Sequence, residues 1–262
     1  MSNDIIYNVS DNIGHVVLNR PQRRNALTFD MYKQIGEICA TVGTKKDKDK
    51  VKVLILSGSG EAAFAAGTDI SLFEHFEGAP HGLEYEKNME FVLEQIETCK
   101  VPTIAALNGF VTGGGAGIAA SCSIRLGSED LKVGVPIART LGNCLAIGTL
   151  RRFVNLVGFA RTRYILLTAQ LIDSREASTA GFISELLADK DAVIRRAFRI
   201  AESITGFAPL TVKASITSLN RLEAATKLPK DEDIIEMCYG SNDFKEGRLA
   251  FFEKRKPNWQ GK

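Results

Sequence analysis

The sequence predicts an α/β core with largely parallel strands, followed by a helical C-terminal region. Two observations carry that expectation. Strand-like and helix-like segments alternate through about residue 140, as in folds built from a parallel sheet with covering helices. From about Ala146 onward the pattern changes to consecutive helical segments, punctuated by Gly206, Pro209 and Pro229.

Ile5 to Val9 and His15 to Leu18 read as short strands around a turn at Asp11, Asn12 and Gly14. Asn19-Arg20-Pro21 ends the second, because proline cannot donate to a strand ladder. Thr28 reads as an N-cap for a helix with Met31, Ile35, Ile38 and Val42 on one face. Lys45 to Lys50 is a solvated loop. Val51 to Leu56 is a buried strand, stopped by the breaker Ser57-Gly58-Ser59-Gly60, and Phe64 to Ile70 is a loop of small residues. Tyr85 to Thr98 has helical spacing at Met89, Val92, Leu93 and Ile96, and Val101 to Leu107 is a further strand. Asp173-Ser174-Arg175-Glu176 resembles a capping box. Ala192 to Ile204, Pro209 to Ala225, Asp231 to Tyr239 and Asn242 to Lys256 complete the helical tail.

The chain has 262 residues, 45% hydrophobic and 24% charged, with a formal net charge of +2. This is enough to bury a sizeable core without a metal or disulfide staple. The charge balance and the lack of a dense basic helix imply no nucleic-acid partner. No apolar stretch approaches a membrane span, and the opening MSNDIIYNVSDNIGH is not a signal peptide. Five scattered cysteines without a CxxC read as reduced, mostly buried thiols. A soluble, cytoplasmic protein is expected.

The most informative stretch is Asn108-Gly109-Phe110-Val111-Thr112-Gly113-Gly114-Gly115-Ala116-Gly117-Ile118. It follows a strand and leads into a helix of small residues. Such glycines let a ligand approach the main chain, where free N–H groups of the first helical turn would meet it. They also allow tight packing of helix on strand, and spacing alone leaves both readings open. No G-x-x-x-x-G-K-[ST] and no G-x-G-x-x-G is present, so neither nucleotide-binding loop is encoded here. HExxH and G-x-S-x-G are absent. Of the three histidines, His15 reads as structural in its strand, and His75 reads as a solvated loop residue or, following the small-residue loop, as one facing a pocket.

Four segments, in order, resemble the crotonase (enoyl-CoA hydratase/isomerase) superfamily. The first is Val16-Val17-Leu18-Asn19-Arg20-Pro21 with Asn25-Ala26-Leu27. Next is Phe64-Ala65-Ala66-Gly67-Thr68-Asp69-Ile70, like the family's F-x-A-G-x-D-[IL] loop. Then comes Val101-Pro102-Thr103-Ile104-Ala105-Ala106-Leu107-Asn108-Gly109 with the triplet Gly113-Gly114-Gly115. Last is Glu246-Gly247 with Ala250-Phe251, Lys254-Arg255 and Pro257. The resemblance implies a spiral of ββα turns over residues 1–200. It also implies a C-terminal helical region, 201–262, that packs at the subunit interface of a homotrimer or dimer of trimers.

The resemblance further implies an acyl-CoA thioester substrate, with coenzyme A as part of it, no permanently bound cofactor and no metal. It gives the backbone N–H groups of Thr68 and Gly114 the role of an oxyanion hole for an enolate. Ala26 and Ala66 would lie near the CoA, and Thr68, Asp69, Ile70 and Ser71 would line the acyl site. Asp69 would serve the loop as a structural hydrogen-bonding residue. The two hydratase glutamates of the family fall on Gly117 and Ile137 here, so neither carboxylate is present to activate water or protonate carbon. Arg139 and Asn143, four residues apart, are candidates to bind a carboxylate or carbonyl of the acyl group. Three functions follow: a decarboxylase-type acyl-CoA lyase, a hydratase or isomerase with relocated groups such as Glu61, Glu74 or His75, or a non-catalytic acyl-CoA binder.

Overall fold

The structure is a computed structural model and describes residues 3–225 and 227–262. It opens with a hairpin of β1 (Ile5–Ser10) and β2 (Ile13–Leu18), paired antiparallel. Asp11 and Asn12 both take positive φ, 52° and 62°. A two-residue hairpin turn of the primed type demands this conformation. Gly14 lies in β2 rather than in the turn.

α1 (Phe29–Thr41) begins at the predicted cap, where Thr28 Oγ1 accepts from the Met31 N–H at 3.2 Å. Such a bond satisfies one of the donors left free in the first turn. β3 (Val53–Gly58) runs two residues further than the breaker predicts. Its Ser57 and Gly58 pair with Val17 and Leu18. Gly58 is there for close approach, not for a turn. A Cβ on it would lie 2.5 Å from the Ala63 carbonyl oxygen.

β4 (Ala63–Ala65) follows, then α2 (Ala79–Glu97), β5 (Thr103–Leu107), β6 (Phe110–Thr112) and α3 (Gly114–Ser121). β7 (Ile124–Ser128), β8 (Lys132–Gly134), the single turn α4 (Ile137–Thr140) and α5 (Ile147–Thr168) come next. α5 is broken at Gly158, whose φ of 72° is not helical. β9 (Ile172–Asp173), α6 (Ser174–Thr179), β10 (Glu185–Leu187) and α7 (Lys190–Thr205) complete the sheet-bearing part. α8 (Pro209–Ala224), α9 (Glu232–Tyr239) and α10 (Asn242–Phe252) end the chain.

The strands form two sheets. One has six strands in the order β1-β2-β3-β5-β7-β10, parallel from β2 onward; the other has four in the order β4-β6-β8-β9. Consecutive strands alternate between the sheets: β3 then β4, β5 then β6, β7 then β8. Each pair is followed by helix, which makes the spiral of ββα turns. The six-stranded sheet is buried on both faces, and the period-two alternation of side chains shows how. Leu54, Leu56, Ala105 and Leu107 face the main core with α1, α2 and the second sheet. Val53, Ile55, Ile104 and Ala106 face a second core closed by Val193, Ala197 and Ala201 of α7.

The helical tail is not uniform. α9 packs along α2, where Gly82 lets the Tyr239 ring lie flush on the helix; a Cβ there would fall 2.2 Å from the ring. α8 has no buried residue and exposes Leu210, Leu219 and Leu222. Among the described residues no helix is long and apolar enough to cross a membrane.

Candidate active site

The A-G-x-D loop is held by main-chain bonds. The Leu27 N–H donates to the Gly67 carbonyl at 2.8 Å, and the Asp69 N–H donates to the Leu27 carbonyl at 2.9 Å. In such a parallel bridge the residue between the two bonds turns its own N–H to the other side. That residue is Thr68.

Asn25, buried and at φ 54°, secures the approach to this bridge. Its amide nitrogen donates to the carbonyls of Ser59 (2.9 Å) and Ala63 (2.8 Å), and its oxygen accepts from the Arg20 N–H (2.9 Å). The first and second sequence motifs are therefore two sides of one scaffold.

The three residues of the glycine triplet differ in their surroundings. Gly115 is packing: a Cβ on it would lie 2.4 Å from the Ala65 carbonyl oxygen. Gly113 takes φ 52° and is the N-cap residue before α3. Gly114 is the first residue of that helix, and a Cβ on it would lie 1.8 Å from the Tyr32 hydroxyl and 3.0 Å from Thr68 Oγ1. Thr68 and Gly114 thus face each other. Among the described residues, neither N–H donates to a protein acceptor.

Both residues line one cavity of about 230 Å³. Ala66, Ile70, Asn143, Gly117 and Ile137 line it too. A larger hollow of about 710 Å³ between α1 and α2 shares Tyr32, Tyr85 and Met89 as walls, but neither Thr68 nor Gly114 borders it. The smaller cavity is where the convergent polar groups are, so it is the better site candidate.

The loop predicted to line the acyl site does so only at alternate residues. Thr68 and Ile70 face the cavity, whereas Asp69 and Ser71 turn away. Asp69 caps the short 3-10 turn Ile70–Phe73, accepting from the Ser71 N–H (3.2 Å) and hydroxyl (2.8 Å) and from Arg20 Nη1 (3.0 Å). Burial opposes ionisation of Asp69, but the bonds from Ser71 and Arg20 outweigh it and hold the carboxyl below its usual range. Ala26 sits beside the loop with its carbonyl taken by Arg20 (2.6 Å) and does not line the cavity. Arg139 is exposed on α4 and also lies outside the lining. Its helical turn is only four residues long, so Arg139 and Asn143 do not share a helix face. Glu61, Glu74 and His75 are exposed, and Glu61 faces Lys190 at 3.6 Å.

Composition and motif reading missed the polar residues of the opposite wall. Tyr32 and Tyr85 place their hydroxyls 2.9 Å and 2.8 Å from Thr68 Oγ1. Burial pushes both phenols well above their ordinary range. Next to Tyr85 on α2, Glu86 is buried (5% exposed) and lines the same cavity. It accepts from the Tyr239 hydroxyl at 2.5 Å and from the Ala146 N–H at 3.1 Å. Among the described residues no cation pairs with it. Burial raises its carboxyl to about 7, against the lowering effect of those two hydrogen bonds. Tyr239 in turn accepts from Asn143 Nδ2 at 3.1 Å, while the buried Asn143 Oδ1 has no partner among the described residues.

The sequence profile of the enoyl-CoA hydratase/isomerase family matches residues 8–262. The chain is 33% identical to a short-chain-enoyl-CoA hydratase of Clostridium acetobutylicum, over 97% of this chain and 96% of the relative. It is 30% identical to a crotonyl-CoA hydratase of Syntrophomonas wolfei, over 99% and 98% respectively. A crystal structure of an enoyl-CoA hydratase/carnithine racemase from Magnetospirillum magneticum superposes with a TM-score of 0.79 at 31% identity, covering 100% of this chain and 97% of that one. Fold, site scaffold and relatives agree: the chain belongs to the enoyl-CoA hydratase/isomerase family of the crotonase superfamily.

Proposed function

We propose that the cavity receives the acyl end of a CoA thioester and that the N–H groups of Thr68 and Gly114 hold the thioester oxygen. The observation that carries this reading is the pair of unpartnered backbone donors on facing residues of one cavity, fixed by the Leu27 bridge and by the start of α3. Negative charge moves onto that oxygen when an enolate forms, and donors already in place stabilise it without reorganisation.

In this reading the two positions where the family's hydratases carry glutamates are Gly117 and Ile137. Both border the cavity with no acid or base to offer. The chemistry is then enolate formation and reprotonation, not a water addition run by a glutamate pair. Coenzyme A enters as part of the substrate, near Ala26 and Ala66. Residues 1–200 form the spiral and 201–262 the helical region through which the chain assembles as a homotrimer or dimer of trimers. The exposed leucines of α8 support that assembly.

Titrating the purified protein with crotonyl-CoA by calorimetry, beside a hydration assay on the same preparation, tests the reading. Binding is expected, with hydration at least ~100-fold slower than in relatives that hold both glutamates, given the usual worth of general acid–base groups. Absence of binding would overturn the CoA assignment. Fast hydration would overturn the claim that water addition has been lost.

A further inference from the structure

We propose that Glu86 is the proton-transferring residue of this site, taking a proton from the carbon next to the thioester carbonyl and returning it to the resulting enolate. The proposal rests on the reading of the cavity as a CoA-thioester site, and it adds a group that none of the sequence motifs contains.

The geometry has three parts. First, Tyr85 and Glu86 are consecutive on α2, and both border the cavity. Tyr85 touches Thr68 of the oxyanion pair, while Glu86 bonds Tyr239 and Ala146, and Glu86 lines the same cavity as Thr68 and Gly114. Second, the cavity-lining positions Glu86, Met89 and Leu93 follow helical spacing on one face of α2, so Glu86 is not on the solvated side of that helix. Third, the carboxylate is oriented by an ordered chain of donors. Asn143 Nδ2 donates to the Tyr239 hydroxyl, which donates to Glu86 Oε1, and the Ala146 N–H donates to Oε2.

A carboxylate held by two neutral donors, with no Arg or Lys against it, remains basic. The groups that face it are consistent with this. They are Tyr239 and Asp231 from α9 and its N-cap, Tyr32 from α1, Cys144 from the segment before α5, and Tyr85 and Glu90 on α2 itself. None is a cation, and burial is the largest influence on its ionisation.

The step balances within the site. A Glu86 oxygen accepts the proton from the α-carbon. The C–H electron pair becomes the enolate double bond, and the carbonyl π pair moves onto the oxygen held by Thr68 and Gly114. The protonated Glu86 then gives its proton back to the α-carbon, or to the γ-carbon when a β,γ double bond is present. No oxidant, water or leaving group is consumed.

The test is deuterium wash-in. But-3-enoyl-CoA is incubated with the enzyme in D2O, and the recovered thioester is weighed by mass spectrometry. The wild type is expected to incorporate deuterium, with a rate that rises with pH around a midpoint near 7. Glu86→Gln keeps the shape of the side chain and one acceptor oxygen for the Ala146 N–H, while its amide NH2 would have to donate to the Tyr239 hydroxyl. It should exchange at least ~100-fold more slowly, with thioester binding within about threefold of wild type as expected when only the proton-transfer group is lost. Tyr239→Phe removes a hydrogen bond that favours the charged carboxylate, so it should keep exchange but move the midpoint to higher pH. Wild-type protein that binds the thioester without exchanging it would overturn the proposal, as would Glu86→Gln exchanging at the wild-type rate. If Glu86→Gln does not fold, an unmoved midpoint in Tyr239→Phe overturns it. Failure of the wild type to bind any CoA thioester is a different result: the site reading itself falls, and the role of Glu86 with it.

Discussion

Gly114 has no room for a side chain, because a methyl there would collide with the Tyr32 hydroxyl and crowd Thr68 Oγ1. Gly114→Ala must therefore displace the first turn of α3 from the loop it faces. Loss of one oxyanion donor costs about 3 kcal/mol of transition-state stabilisation. The variant should lose roughly 100-fold in deuterium wash-in or turnover, measured alongside thioester binding. Arg139→Ala, by contrast, should stay within about twofold of wild type in the same assay, as surface substitutions away from a site usually do. Thr68, Gly114, Ala66 and Ile70, read from the motifs, line the cavity, because main-chain positions in a glycine-rich scaffold are marked by the small residues around them; Asn143, read instead as one of a pair with Arg139, lines it too. Arg139 lies outside that lining, and its four-residue helical turn does not carry the i, i+4 pair with Asn143 that the spacing suggests. Glu86 stayed hidden for a different reason. A glutamate within the run Glu84-Tyr85-Glu86-Lys87 reads as a solvated helical residue, and only the docking of α9 through Gly82 buries it.

At the scale of elements, caps and buried ion pairs give measurable handles. Thr28→Ala removes the acceptor for the Met31 N–H. It should cost about 1 kcal/mol by denaturant titration. α5 is tied to α2 by Arg152, only 3% exposed, which bonds Glu90 at 2.8 Å and Glu97 at 2.6 Å. Arg152→Met would leave both carboxylates short of a partner, although Arg151 still reaches Glu97. We expect a loss of about 3 kcal/mol, read as a lower denaturant midpoint. The strands β1, β2, β3 and β5 and the helices from α7 to α10 were legible in the sequence because each is long enough to show its period. β4, β6 and β8 were not. Each is three residues long, too short for alternation to register, and each pairs with residues far away in the chain. The second sheet therefore becomes visible only when the spiral closes.

For the whole molecule, the buried Glu86 links stability to pH. Its carboxyl ionises at about 7 in the fold against 4.5 for an ordinary glutamate, mainly because burial disfavours the charged form. A raised folded value means that the stabilising contribution is complete below about 4.5 and is lost as pH climbs through 7. Wild type should therefore lose on the order of 3 kcal/mol relative to Glu86→Gln between about pH 5 and pH 8. Thermal melts of the two proteins across that range check it; parallel curves would show that Glu86 is not strained by ionisation. The assembly state belongs to this scale too. Light scattering should report three or six times the chain mass of 28.6 kDa. Leu219→Asp with Leu222→Asp should reduce it, because a stable interface needs its apolar centre. The functional assignment turns in the end on one oxygen atom. A chromophoric cinnamoyl-CoA thioester absorbs at longer wavelength when its carbonyl is polarised, so its spectrum reports directly on the Thr68 and Gly114 amides. A red shift is expected on binding to the wild type, and it should be lost in Gly114→Ala. A thioester that binds to the wild type with an unshifted spectrum would contradict the oxyanion hole.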